Sequence, residues 1–352
     1  MEIKQWNEIC SKYKDASLIL GNGASIAFDA IFDYQSLYEV ANQTNLIEGK
    51  LLNLFEKFNT ENFELVLYRL WQAKEVLNVL DISTEFLDDN YSLCREALIS
   101  TVHKAHIKYD NENDVFIKKL NQAYKFLMNF KTVFSLNYDL ILYWIIAKGN
   151  TDSDKKGNIF KDCFWKPLND FKVFDFDVSF FRKPDQEQDK AVLIFYPHGN
   201  LTLARLKQEQ FHEIDLKICS RDQVHLEAIF DTWKKGRFEP VFISEGDFNE
   251  KRKRILESEY LRTIYKYGFE EIEQKLVIYG WSLSKQDTHL LQRLQNIQDD
   301  RKKTGMNIIK SIAVSIYPNG KENEFIEHVN KKLTPLTNDI DFYYSNQDCW
   351  CY

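Results

Sequence analysis

The stretch that decides the fold is Ala16-Ser17-Leu18-Ile19-Leu20-Gly21-Asn22-Gly23-Ala24-Ser25. An apolar run reads as a buried strand, stops at two glycines and a serine, and passes into a helix-compatible stretch. Glycine allows the sharp turn and leaves room for a ligand beside the backbone. The N–H groups that open the next helix then face an anion such as a nucleotide phosphate. The plainer reading is a tight strand-to-helix turn with Ser25 as its cap. The dinucleotide fingerprint Gly-x-Gly-x-x-Gly is incomplete, because Ile26 stands at the third position. A second strand ending in an acid does not follow either, which argues against an ordinary hydride-transfer dehydrogenase.

Three later segments repeat the pattern of an apolar run with polar residues at its end: Ser135-Leu136-Asn137-Tyr138-Asp139, Tyr196-Pro197-His198-Gly199-Asn200 and Ile278-Tyr279-Gly280-Trp281-Ser282-Leu283-Ser284. In open α/β sheets ligands bind at the carboxyl ends of the strands. Asn137 or Asp139 also has the right spacing to cap the apolar helix from Leu140 to Ala147. A histidine placed like His198, between Pro197 and Gly199, can act as a general base near neutral pH, or can be a satisfied structural residue. The remaining histidines lack comparable context. His103 and His106, three apart on a helical stretch, lack a third metal ligand and read as surface residues.

Strand-like runs fall at Ala16 to Leu20, Thr132 to Leu136, Val192 to Tyr196, Pro240 to Ser244, Leu276 to Tyr279 and Ile309 to Ile316, with helical stretches between most of them. The segment from Ile3 to Tyr13 reads as a short amphipathic helix. Residues 34–130 are almost wholly helical in pattern, and 151–188 read as a loop or irregular hairpin. The expected fold class is therefore α/β: a Rossmann-like parallel sheet with helices on both faces and a large helical insertion (34–130) after the first strand. Residues 1–352 are expected to form one domain.

The chain has 352 residues, 44% hydrophobic and 28% charged, as expected of a globular protein with a full core. Its 26 Phe and 18 Tyr suggest an aromatic-rich core. A net charge of −7 argues against a nucleic-acid partner. The basic run Lys251-Arg252-Lys253-Arg254 reads as a solvated helix face. Six scattered cysteines form no Cys-x-x-Cys pair, so neither a zinc ribbon nor any other metal is expected. With no leader and no run long enough to cross a bilayer, the expected location is cytoplasmic, away from membranes.

Together these segments resemble the sirtuin-like NAD-hydrolase group of bacterial antiphage defence, and more narrowly an uncharacterised bacterial branch of it. Gly21-Asn22-Gly23-Ala24-Ser25 is similar to the family's Gly-Ala-Gly-x-Ser phosphate loop. Asn137-Tyr138-Asp139 matches its Asn-x-Asp, His198-Gly199 its catalytic His-Gly, and Gly280-Trp281-Ser282-Leu283 with Asp287 its late Gly-x-Ser-Leu segment. The branch resemblance extends to Phe242-Ile243-Ser244-Glu245-Gly246 and the basic helix through Tyr260-Leu261. Asn22 replaces the usual alanine, and the sirtuin zinc module is missing, which disfavours peptide deacylation.

The resemblance implies NAD as substrate, without a metal, and cleavage of the nicotinamide–ribose bond. Asn137 would orient a water and ribose hydroxyls, Asp139 would hold the ribose or carboxamide, and His198 would accept a proton. Gly21, Asn22, Gly23, Ala24 and Ser25 would cradle the pyrophosphate, with Gly280, Trp281, Ser282 and Asp287 at the adenosine half. It further implies gating by a homo-oligomer, a regulatory protein or a phage-derived trigger. The alternative function is a non-catalytic NAD/ADP-ribose-type nucleotide-binding sensor or interaction module.

Overall fold

The computed structural model describes residues 2–32, 37–61, 63–110, 112–151, 160–169, 171–175, 191–206, 214–219, 225–234, 238–243 and 248–352. In chain order, a short strand β1 (Ile3–Lys4) and helix α1 (Trp6–Ile9) lead into β2 (Ala16–Leu20) and α2 (Asn22–Phe28). Five helices follow: α3 (Leu37–Gln43), α4 (Gly49–Phe58), α5 (Phe63–Val79), α6 (Glu85–Ala105) and α7 (Asp114–Leu127). Next come β3 (Phe130–Ser135), α8 (Ile141–Thr151), β4 (Phe160–Lys161), β5 (Phe164–Leu168), β6 (Phe171–Phe174), β7 (Val192–Phe195), β8 (Gly199–Leu206) and β9 (Ile214–Ile218). The remainder is α9 (His225–Lys234), β10 (Phe238–Phe242), α10 (Phe248–Glu257), α11 (Glu259–Lys266), β11 (Lys275–Tyr279), α12 (Thr288–Thr304), β12 (Ser311–Ile316), α13 (Glu322–Leu333) and β13 (Asp339–Tyr344).

Eight strands form one sheet in the order β1-β13-β12-β11-β2-β3-β7-β4, and every pairing is parallel. Leaving out the two short edge strands, the order runs β7-β3-β2-β11-β12-β13. That is the doubly wound 3-2-1-4-5-6 arrangement, with a switch point between β2 and β11 where the winding reverses. The composition explains why these strands sit inside. All residues of β2, β7 and β12 are buried, as helices on both faces of a parallel sheet require.

The register aligns the tips. Leu20 pairs with both Ser135 and Tyr279, and Phe134 pairs with Phe195. Gly21, Leu136 and Gly280 therefore leave the sheet at one level, with Tyr196 and Pro197 beside them.

The expected helical block is present as α3 to α7, all between β2 and β3. Asn113 starts α7 by accepting from the N–H groups of Val115 at 3.0 Å and Phe116 at 3.1 Å. The core is rich in aromatics. Trp6 packs against Phe126, Phe130 and Tyr343, and Phe134 stacks on Phe269 at 4.7 Å. Each fully buried ring of this size contributes about 1.5–3 kcal/mol of apolar transfer.

The second sheet departs from the sequence reading. It is antiparallel, in the order β10-β8-β9-β6-β5. The run assigned to Pro240–Ser244 belongs here as β10 and not to the parallel sheet, and Ser244 lies outside the described residues. The reading of 151–188 as a loop or irregular hairpin was half right: β5 and β6 do form a hairpin, β4 joins the main sheet, and residues 152–159, 170 and 176–188 lie outside the description. The expected N-terminal helix is shorter, because Ile3–Lys4 pairs with β13 as an edge strand.

Candidate functional site

At the switch point the two glycine turns are locked together. The Gly21 N–H donates to the Tyr279 carbonyl at 2.9 Å and the Gly23 N–H to the Gly280 carbonyl at 2.8 Å. A Cβ on Gly21 would lie 2.5 Å from Trp281 Cα, and one on Gly23 2.7 Å from Gly280 Cα. Backbone packing across the β2–β11 crevice thus demands glycine at both positions. The Ala24 N–H donates to the Gly21 carbonyl, so the amides of Gly23 and Ala24 are both engaged within the protein. Asn22 is exposed and its side chain donates to the Phe32 carbonyl at 3.2 Å.

Beside this turn lies a polar cluster. The Asn137 side-chain amide donates to the Gly21 carbonyl at 3.0 Å and to Ser25 Oγ at 2.8 Å. The Ser25 hydroxyl in turn donates to Asp139 Oδ2. Asp139 Oδ1 accepts the Ile141 N–H at 2.9 Å, which also holds the start of α8, as the capping reading expected. Ser25 and Asp139 are buried, and Asn137 is half-buried. Asn200, from β8, donates to the Asp139 carbonyl at 2.5 Å. Three strand tips are thereby tied by one continuous network.

His198 sits in a tight turn between β7 and β8. The Gly199 N–H donates back to the Tyr196 carbonyl at 2.9 Å, with Pro197 at the second position. Gly199 has φ +76°, and a Cβ there would meet the Val241 carbonyl oxygen at 2.1 Å, so no side chain fits. The imidazole is 3% exposed. His198 Nε2 lies 3.0 Å from His289 Nε2.

His289 comes from the first turn of α12, on the far side of the switch point, and is fully buried. Two residues earlier, Asp287 accepts from Lys251 Nζ at 2.9 Å, from the Trp281 indole N–H at 2.9 Å and from the Ser284 hydroxyl at 3.4 Å. Ser282 is exposed. The four sequence motifs therefore meet along one sheet edge: β2 and β3 through Asn137 and Ser25, and β7 and β11 through the histidine pair.

The electrostatics of the pair follow from burial. Desolvation drives His198 well below the ordinary histidine range; the Lys251 charge pushes the same way and Asp287 opposes. Desolvation, against the pull of Asp287, brings His289 to about 4. Burial alone would raise Asp287, but its interaction with His198, the positive charge of Lys251 and the hydrogen bonds it receives outweigh that and hold it at about 2. At neutral pH this site contains a Lys⁺–Asp⁻ pair beside two neutral imidazoles.

Residues 18–350 match the DUF4917 family, described as a domain of unknown function. The chain belongs to this family. No curated protein matches the sequence. The DUF4917 match begins inside β2 and ends at Trp350, so it takes in every strand tip described above. Trp350 itself closes on the site's first turn, its indole N–H donating to the Ala24 carbonyl at 2.8 Å.

Three readings of this DUF4917 chain need correcting. Lys251 is not on a solvated face: its side chain is 8% exposed and paired with Asp287, while Arg252 and Lys253 do face outward. His106 is not a surface residue; it is buried against Trp144 and Phe32, and its Nε2 accepts the Leu140 N–H at 3.0 Å. His103 is exposed, as expected. His289 was passed over, although it follows Asp287 by two residues at the start of a helix after the Gly-Trp-Ser-Leu turn. Of the segment Phe242 to Gly246, Ser244, Glu245 and Gly246 lie outside the described residues.

Proposed function

We propose that this site binds NAD and cleaves its nicotinamide–ribose bond, giving nicotinamide and ADP-ribose. The supporting observation is the junction at Asn137. There an amide, a hydroxyl and a carboxylate stand together, and Asn200, two residues after His198, donates to the Asp139 carbonyl at 2.5 Å and holds the histidine turn beside them. These are the group types needed beside a sugar carbon that becomes cationic. Nicotinamide leaves as a neutral molecule from a cationic ring, so the protein has little need of a strong acid. Asn137 orients a water and the ribose hydroxyls, Asp139 supplies negative charge near the reacting carbon, and His198 accepts a proton. The switch-point turn from Gly21 to Ser25 lies where a doubly wound sheet receives a pyrophosphate, with Gly280, Trp281, Ser282 and Asp287 toward the adenosine. Since free NAD loss would harm the host, the reading includes a cytoplasmic defence effector gated by self-assembly, by a regulatory protein or by a phage-derived trigger.

Asn137→Ala and His198→Ala are each expected to lower nicotinamide release by about 10²–10⁴-fold while the unfolding transition stays cooperative. Full turnover in both variants would overturn the assignment. A second reading, nucleotide binding without turnover, is favoured by the engagement of His198 Nε2 with His289 and of the Gly23 and Ala24 amides with protein carbonyls. Under that reading ADP-ribose raises Tm and no nicotinamide forms.

A further inference from the structure

We infer that His289 is a positioning residue: it fixes His198 in a single tautomer, and the two rings bind one proton as a unit. The inference rests on the NAD-cleaving reading only where it concerns turnover. Its basis is geometric. A neutral imidazole has one donor nitrogen and one acceptor nitrogen. Two such rings can approach to 3.0 Å through Nε2 only if one carries the proton there and the other does not. His289 Nδ1 finds no partner among the described residues, and an orphaned buried N–H is rarer than a bare acceptor, so the His289 proton belongs on Nε2 and the His198 proton on Nδ1. His198 Nε2 is then bare, and His289 donates its Nε2–H. That leaves the lone pair of His289 on Nδ1, a buried atom with no hydrogen-bond partner among the described residues.

An orphaned polar atom inside a protein usually has a reason. Here it is the basic nitrogen of the pair that no described group occupies. When a hydroxyl or water gives up a proton, its O–H bond breaks and one N–H bond forms on the pair. The pair gains one positive charge, carried by either ring as the proton shifts along the Nε2···Nε2 line.

The charged groups facing the pair restrict it to one proton. Lys251 and Arg252 on α10 oppose a positive charge, and Asp287 favours it. From α11, the Tyr265 hydroxyl donates to the His289 carbonyl at 3.1 Å and steadies the backbone. Phe248 closes the remaining side, with ring centroids 6.3 Å apart.

The test is nitrogen NMR of histidine-labelled full-length protein across pH. Wild type is expected to show His198 protonated at Nδ1, His289 protonated at Nε2, and a coupling through the N–H···N bond. His289→Leu is expected to raise the His198 midpoint by about one pH unit, the equivalent of one net hydrogen bond. His289→Gln, whose amide can donate to His198 Nε2, should keep the wild-type tautomer. Both rings protonated at the same nitrogen, or an unchanged His198 midpoint in His289→Leu, overturns the inference. If His289→Leu fails to fold, presence or absence of the wild-type coupling decides.

Where wild type releases nicotinamide, His289→Leu should lose about tenfold in kcat with KM little changed, and His289→Gln, which keeps the tautomer but lacks the basic nitrogen, should lose less. Equal loss in both variants overturns the positioning role. A wild type that releases none overturns the function reading, and the NMR outcomes then decide the pair by themselves.

Discussion

The two sides of the switch point solve the same problem differently. On the β2–β3 side the polar groups are tied to one another: Asn137 reaches Gly21 and Ser25, Ser25 reaches Asp139, and Asp139 holds the start of α8. On the β7–β11 side an ion pair, an indole and two imidazoles are buried together, and His289 Nδ1 has no hydrogen-bond partner among the described residues. A connected hydrogen-bond network specifies geometry, whereas an unpaired buried polar group is costly in the low local dielectric. The first side aligns three strand tips. The second holds the Lys251–Asp287 ion pair.

The largest expected effect breaks the charged side. Asp287→Asn leaves Lys251 buried without its counter-charge and should cost about 3–5 kcal/mol in denaturant unfolding. Adding Lys251→Met to that variant should recover most of the loss; no recovery would mean that Asp287 acts through Trp281 and Ser284 instead.

Next in size is Gly199→Ala, at the turn that aims His198. The left-handed backbone and the approach to the Val241 carbonyl together should cost about 3 kcal/mol. A loss below about 1 kcal/mol would show that the turn relaxes freely. The smallest effect sharpens the contrast by pH. An unfolded His289 takes up a proton below about 6.5, and the folded one refuses it until about 4. Stability is therefore lost as pH falls through that window, by about 2 kcal/mol between pH 7 and pH 5 from His289 alone. His198 and His106 are also shifted down by burial and add in the same direction. A flat profile of unfolding free energy over this range would contradict the neutral, buried assignment.

Much of the fold was legible because it is written locally. The Leu-Ile-Leu-Gly turn, the helical block after it and the apolar runs at β3, β7, β11 and β12 each carry their own period and punctuation. The antiparallel sheet was not, because β5, β6 and β9 are short and its strands are joined through polar segments. β8 starts directly at Gly199, so its eight residues read as the tail of the histidine motif. The site was legible to the extent that single residues ended strands: Asn137, Asp139 and His198 were all visible. Lys251 and His289 were not, since each owes its role to a partner far along the chain. Lys251 looks like its three basic neighbours until Asp287, 36 residues later, draws it inward. His289 becomes a partner only because two parallel strands bring α12 beside the turn at His198, 91 residues earlier. His106 is the same case, buried by its pairing with the backbone at Leu140.

The account stands most directly on nicotinamide release from NAD by the full chain, followed by chromatography over a wide range of protein concentrations. It predicts release by the wild type that is abolished in both Asn137→Ala and His198→Ala. NAD left intact by the wild type at every concentration, or equal release by all three proteins, would contradict it.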